Sequence, residues 1–318
     1  MPAFGAESTA DDVLDGLDLS GQRFLVTGAS AGLGVETTRA LAAHGAWVTM
    51  AVRDLEKGAA AMEQIHASVP DAQLDVRELD LADLASIRTF ASSFLEDHPV
   101  LDVLIANAGV MACPQGTTVD GFETQFGTNH LGHFLLIQLL TPALVAANGA
   151  RVVLLSSAGH RFSDVDLDDP GWTTTPYDPW MAYGRAKTAN VLCAVALDKR
   201  LRDQGVRAFA VHPGGIHTEL GRHLTGESLK ILTDRLEAAP TAMVWKTVPQ
   251  GAATTLYAAT SPDLDGLGGR YLEDCHLAEI TDDPDASSGV RAYALDPERA
   301  DALWALSERL IDAASQPT

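Results

Sequence analysis

Cysteine is scarce: Cys113, Cys193 and Cys275 are the three in 318 residues, widely separated and odd in number. That excludes a disulfide framework, gives no metal-ligand spacing and fits a reducing compartment. Positive charge is short as well, with 22 Lys plus Arg against 43 Asp plus Glu and a formal charge of −21. A field of that sign repels phosphate backbones and anionic bilayers, so neither nucleic acid nor a membrane surface is an expected partner. The acids fall in short groups such as Asp166 to Asp169, which reads as solubility and not as a tract for a cationic ligand. No stretch of about 18 uncharged apolar residues stands out. The N-terminus lacks the basic and apolar regions of a leader. The expectation is a soluble, cytoplasmic protein. Repeats and Pro/Gly/Ser-rich linkers are missing too, so one domain is expected over 21–318, behind a loosely held, acidic arm at 1–20.

What is present is alternation. Hydrophobic residues make up 46% of the chain, enough for a sizeable core. Strand-like runs "RFLVTG", "AWVTMAV", "AQLDVREL" and "LDVLIANAG" are followed in turn by helical stretches over 32–44, 54–67, 82–97 and 119–147. "ARVVLLSS" and "GVRAFAVHPGG" continue the order around a helix at about 180–203, and Gly269 to Leu272 offers a last short strand. This is the order of an α/β Rossmann fold: a doubly wound parallel sheet of about seven strands with helices on both faces.

The first strand ends in Thr27-Gly28-Ala29-Ser30-Ala31-Gly32-Leu33-Gly34, and an apolar-periodic helix follows at once. Glycines there let the backbone turn tightly and approach a pyrophosphate, whose charge sits on free N–H groups of the helix start. A plain strand-to-helix turn is the alternative for such a loop. At the end of the second strand stands Arg53, with Val52 where an acidic residue would bond a ribose 2′-hydroxyl. A guanidinium pairs instead with a 2′-phosphate, so NADP(H) is expected over NAD(H). Asp54, one residue late, reads as a helix cap. Asp80 and Leu81 could meet the adenine, or Asp80 could serve a turn.

Tyr183 and Lys187 lie i, i+4 in "YGRAK", with Ser156 and Ser157 ending an earlier strand. Taken with the glycine loop, "ANAG" at Ala106 to Gly109, "VVLLSS" at Val152 to Ser157 and "HPGGIHT" at His212 to Thr218, the chain resembles the short-chain dehydrogenase/reductase family over about residues 20–275. "AVRD" and "TNHLGHFLL" look most like the branch of retinol dehydrogenases and NADP-linked carbonyl reductases, without implying retinol as substrate. The resemblance implies Tyr183 as general acid/base, Lys187 lowering its pKa from about 10 and holding the nicotinamide ribose, and Ser157 bonding the substrate oxygen. It further implies Asn129 organising a water in a proton relay, and Asn107 and Gly109 as scaffold and cofactor wall. Pro213 and Gly214 would turn beside the nicotinamide, with Thr218 at its carboxamide and His217 unassigned. No metal is expected: His130 and His133 lack clustered ligands and read as helix packing or surface.

Two segments frame a substrate cleft, about 158–182 and 215–250. In the first, Trp172, Tyr177 and Trp180 either line the cleft or pin the loop. In the second, Leu220, Leu224, Leu229, Ile231, Leu232, Met243 and Trp245 form an apolar set suited to a lipophilic carbonyl, or to an interface or core. The expected activity is reversible hydride transfer between NADP(H) and a hydrophobic ketone or aldehyde. A catalytically silent dinucleotide-sensing regulator and a sugar-nucleotide epimerase or dehydratase are the alternatives. A homodimer or homotetramer would use the two long helices, 119–147 and 180–203.

Overall fold

The structure is a computed structural model and describes residues 4–147, 149–238 and 244–315. Eight strands form the main sheet: β1 (Arg23–Thr27), β2 (Trp47–Val52), β3 (Gln73–Glu78), β4 (Val103–Ala106), β5 (Arg151–Leu155), β6 (Arg207–His212), β9 (Arg270–Glu273) and β10 (His276–Leu277). Their spatial order is β10-β9-β6-β5-β4-β1-β2-β3, parallel throughout except for the two-residue β10 edge. The expected seven parallel strands are there, and the antiparallel eighth is too short to leave a period-two signal. β7 (Gly215–Ile216) and β8 (Trp245–Lys246) pair separately.

The strands alternate between two apolar layers, which is why their sequences read as near-continuous hydrophobic runs. Leu25, Leu104, Val152, Leu154 and Ala210 face one layer. It is closed by α4 (Leu84–Asp97), α6 (Gly132–Ala146) and α7 (Pro179–Leu201). Phe24, Val26, Ile105, Val153 and Phe209 face the other, under α2 (Gly32–Ala43), α3 (Leu55–Ser68) and α9 (Val248–Thr260). The chain order reverses between β1 and β4, and this switch point opens the crevice in which open α/β sheets hold ligands.

Three segments differ from expectation. Of the arm expected at 1–20, the described part is docked: α1 (Ala10–Leu14) is closed by a Thr9/Asp12 capping box, and Ala10, Val13, Leu14 and Leu19 are buried against α2 and α9. One turn of helix carries too few residues to show periodicity, so its docking is set by distant partners. The helix expected from 119 begins at α5 (Thr124–Phe126) and passes through a π turn at Gly127–Leu131 into α6. That run, Thr124–Ala146, is long and apolar enough to cross a membrane, yet 67% of its most apolar window is buried inside the protein. Finally, α10 (Pro297–Ala314) lies across α6 and α7, the pair expected at a subunit interface. Its Trp304 ring meets Phe134 edge-on at 4.7 Å and takes the Arg200 guanidinium at 4.4 Å.

Candidate active site

The glycine loop closes the top of β1 against β4. A Cβ on Gly28 would sit 2.8 Å from the Ala108 Cα, and one on Gly34 would sit 2.3 Å from the Gly28 carbonyl oxygen. Only glycine fits this approach. Asn107 secures the turn by donating from Nδ2 to the Thr27 carbonyl at 2.8 Å. Asp54, Asp83, Asp178 and Asp296 cap α3, α4, α7 and α10, whereas α2 starts after Ala31 with no side-chain cap. Its first N–H groups, beside Ser30, Gly32 and Leu33, are those a pyrophosphate would take. A cleft of about 760 Å³ adjoins this turn, lined by Ser30, Ala31, Gly32, His217 and Thr218 among others.

Arg53 leaves β2 exposed, and among the described residues its guanidinium has no hydrogen bond or ion pair. After burial and the neighbouring Arg222, its charge helps hold the His223 imidazole below its ordinary pKa. Asp80 takes the turn role, its carboxylate accepting from the Ala82 N–H at 2.9 Å. Leu81 is buried in the α4/α6 layer.

Serine, tyrosine and lysine converge from β5 and α7. Ser157 ends the strand and caps the short turn Ala158–Phe162, its Oγ accepting from the Gly159 N–H at 3.0 Å. Two glycines let this turn press on α7: a Cβ on Gly159 would lie 2.8 Å from the Tyr183 ring, and one on Gly184 would lie 2.9 Å from the Gly159 carbonyl. Tyr183 is 3% exposed. Burial pushes its phenol up to about 12, and a hydrogen bond with Ser157 draws it part of the way back. Lys187 points to the β5 end, where Nζ donates to the Leu155 carbonyl at 2.9 Å and lies 5.6 Å from the Tyr183 ring centre. Burial alone lowers the ammonium to about 8. Burial thus shifts both groups toward their neutral forms, the phenol up and the ammonium down.

Asn129 sits in the π turn with both side-chain atoms bound to one residue. Its Oδ1 accepts from the Val110 N–H at 2.8 Å and its Nδ2 donates to the Val110 carbonyl at 2.9 Å. The side chain therefore holds the segment after β4. Gly109 lies between Asn129 and Lys187, its would-be Cβ 3.2 Å from Oδ1 and 3.7 Å from Nζ.

After β6, Pro213 and Gly214 turn with Gly214 at φ +98°, where a Cβ would strike the Lys246 side chain at 2.6 Å. Lys246 reaches past to Asp274, Nζ to Oδ1 2.5 Å. His217, unassigned from sequence, stacks on Trp245 at 3.9 Å between ring centres, and Thr218 faces the would-be Cβ of Gly32 at 3.4 Å. These contacts and the β7–β8 pairing tie the two ends of the 218–244 segment together.

The aromatic residues of 158–182 divide between their two readings. Trp180, 2% exposed, meets Tyr183 edge-on at 6.4 Å and donates from Nε1 to the Ser228 carbonyl at 3.1 Å on α8 (Gly226–Ala238). Ala112, Leu224, Ile231 and Leu232 complete this apolar wall. Trp172 and Tyr177 instead pin the loop: Arg185 lies 3.9 Å over the Trp172 ring, and the Tyr177 hydroxyl accepts from Gln125 Nε2 at 2.9 Å. Leu229 and Trp245 are largely exposed, and Met243 lies outside the described residues. The sequence reading passed over Gly159 and Gly184, although a glycine between the tyrosine and lysine was the available signal. Among the described residues no cluster could hold a metal ion.

Comparison with known proteins agrees with this geometry. A family model described as short chain dehydrogenase matches residues 22–228. The chain is 42% identical over 316 residues to the short-chain dehydrogenase/reductase prx1 of Penicillium roqueforti, covering 96% of this chain and 91% of that protein. It is 44% identical over 293 residues to a probable oxidoreductase of Streptomyces lividans, covering 91% and 97%. A solved structure from Mycobacterium paratuberculosis superposes with a TM-score of 0.72 at 38% identity, covering 94% of this chain and 97% of the other. With the glycine cradle, the serine, tyrosine and lysine site and these matches together, the chain belongs to the short-chain dehydrogenase/reductase family, oxidoreductases that use NAD(P) nucleotides.

Proposed function

We propose that the chain is an NADP(H)-dependent carbonyl reductase and alcohol dehydrogenase acting on a small hydrophobic ketone or aldehyde, with Tyr183 as general acid/base. The observation that carries this reading is the enclosed phenol of Tyr183, bonded to Ser157 and walled by Ala112, Trp180, Leu224, Ile231 and Leu232. Burial keeps the hydroxyl protonated at neutral pH, the state a donor needs for reduction, and taking a proton from an alcohol would require the charges of Lys187 and an oxidised nicotinamide to bring the phenol down. An apolar wall beside it favours a lipophilic carbonyl over a charged metabolite.

The glycine cradle and the uncapped start of α2 fit a dinucleotide. Gly28, Ser30, Gly32, Leu33 and Gly34 would hold its pyrophosphate, and Arg53 its 2′-phosphate. Asp80, through the carboxylate oxygen its turn leaves free, and Leu81, through its backbone since its side chain is buried, would meet the adenine, with Asn107 and Gly109 as the wall. Pro213, Gly214 and Thr218 would frame the nicotinamide. The bound nicotinamide would supply the hydride for reduction and accept it in the reverse direction.

The chain's own groups handle the proton. Ser157 Oγ accepts from Gly159, and the hydrogen it offers to Tyr183 would pass to a substrate oxygen placed between the two hydroxyls. Tyr183 then gives its proton to that oxygen as the carbonyl carbon is reduced, or takes one from an alcohol. Lys187 spends one of its three donors on Leu155, leaving two for the nicotinamide ribose hydroxyls. Asn129 fixes the wall through Val110 and offers its carbonyl to a relay water. We read 21–318 as one catalytic unit working in a reducing, cytoplasmic compartment, with 158–182 and 215–250 forming the cleft.

The test is oxidation of NADPH, with NADH in parallel, against aromatic, aliphatic, steroid and terpenoid carbonyls, with Tyr183→Phe as control. Turnover with NADPH that falls by about 10²-fold or more in Tyr183→Phe is the expected result. Dinucleotide binding with no reduction of any carbonyl and no oxidation of any alcohol would replace this reading with a dinucleotide-sensing regulator.

A further inference from the structure

His133 has no part in the proton chemistry above, yet both of its ring nitrogens are engaged between two elements of the site. Nδ1 lies 3.0 Å from the Asn129 carbonyl oxygen, and Nε2 lies 2.9 Å from Thr27 Oγ1. Neither ring nor hydroxyl reaches solvent: His133 is 1% exposed and Thr27 0%. A carbonyl can only accept, so Nδ1 carries the hydrogen. The ring is neutral, because burial holds its pKa down to about 4. Nε2 is therefore an acceptor and the Thr27 hydroxyl donates to it. Thr27 Oγ1 in turn accepts from the Ala108 N–H at 3.0 Å. The result is a one-directional chain, from Ala108 N–H through Thr27 and His133 to the Asn129 carbonyl, in which each hydrogen has one place to go.

Both ends of that chain matter to the site. Thr27 is the last residue of β1, its carbonyl held by Asn107 and its successor the first glycine of the cradle. Asn129 clamps Val110 and lies across Gly109 from the Lys187 ammonium. An aliphatic side chain at 133 could fill the same space, but it would strand the Thr27 hydroxyl in the core and free the Asn129 carbonyl.

We propose that His133 is a positioning residue that locks the glycine-loop strand to the Asn129 turn, so that the dinucleotide cradle and the lysine keep their spacing. The inference rests on the dehydrogenase reading above. It separates into two bonds with two consequences. The Thr27 bond fixes the cradle and is felt in dinucleotide affinity; the Asn129 bond fixes the turn beside Lys187 and is felt in turnover.

Two conservative substitutions part them. In His133→Asn the side-chain amide nitrogen takes the place of Nδ1 and keeps the bond to Asn129. In His133→Gln the longer amide takes the place of Nε2 and keeps the bond to Thr27. His133→Leu removes both. The measurements are the Kd for NADPH from tryptophan fluorescence, kcat for the best carbonyl, Tm, and ¹⁵N NMR of the histidine ring in the unaltered protein at pH 7. The expected pattern is a Kd raised about tenfold in His133→Asn with kcat kept, and a kcat lowered about tenfold in His133→Gln with Kd kept. His133→Leu should show both changes, and the NMR spectrum should show the Nδ1–H form. Kd and kcat moving together with Tm in all three variants, or moving in none, would overturn the proposal, as would an Nε2–H ring. An unaltered protein that binds NADPH but reduces nothing would defeat the dehydrogenase reading instead, leaving the Kd contrast and the NMR form to judge His133.

Discussion

Replacing Lys187 with methionine should make the protein more stable while destroying its activity. The ammonium is buried, and burial alone brings its pKa from 10.5 to about 8, so keeping it charged at pH 7 costs the fold about 3 kcal/mol. Lys187→Met removes that cost with an unbranched side chain of similar length. The hydrogen bond it loses does not leave a stranded acceptor, because Asn190 Nδ2 also donates to the Leu155 carbonyl at 3.0 Å. The pH dependence carries the sign. Between about pH 8 and 10.5 the unfolded chain holds a proton on Lys187 that the native protein has shed, so native stability attributable to this group rises with pH. The advantage of Lys187→Met should therefore be about 3 kcal/mol at pH 7, shrink above pH 8 and vanish near pH 10.5. Urea unfolding of both proteins at pH 7, 9 and 10.5 measures it. A methionine variant less stable at pH 7, or a difference that ignores pH, would refute the argument.

Carbonyl reduction should proceed best below about pH 8, where Lys187 is charged and Tyr183 protonated; a pH–rate profile that rises through pH 8 would contradict both assignments. Arg53→Ser should raise the KM for NADPH about ten- to a hundredfold, the worth of a charge-assisted bond, and leave the KM for NADH unchanged. Its exposure means that Tm should hardly move. Gly184→Ala would drive a methyl to within 2.9 Å of the Gly159 carbonyl and 3.0 Å of the Phe162 Cβ, so it should cost about 1–3 kcal/mol and lower kcat by displacing Ser157 from Tyr183. A crystal structure of that variant with the serine unmoved would sink the explanation. Because α10 covers α6 and α7, the chain should sediment as a monomer at micromolar concentration, and Trp304→Ala should cost about 2 kcal/mol by uncovering Phe134. A dimer built on those helices would show the cover to be loose.

The parallel sheet was legible because each strand is buried on both faces and so leaves an unbroken apolar run, as in Val152 to Leu155. The groups proposed for catalysis could be singled out because their chemistry demands particular side chains at a fixed helical offset, as with Tyr183 and Lys187, which the structure places side by side. What could not be read depends on distant partners. Nothing within Ala10 to Leu14 announces that α9 will cover it, and α10 reads as a helix without saying that it lies on α6. Trp172 and Trp180 look alike in sequence, yet Arg185 claims one and Tyr183 the other.

The same distinction explains the raised pKa of the tyrosine. Spacing correctly brings Tyr183 and Lys187 to one face of α7, but a pKa is decided by everything that excludes water. Here that includes Trp180, Ala112 and the Gly159 turn, contributed by segments far apart in the chain. Two groups that would each rather be neutral are therefore held side by side, each shifted toward its uncharged form. Stability alone would not select this arrangement, since an apolar residue at 187 would relieve it. A site that gives up a proton and holds a cation in the same dry pocket, as proposed here, has a reason to keep it, and the stability of Lys187→Met measures how much the fold concedes to that chemistry.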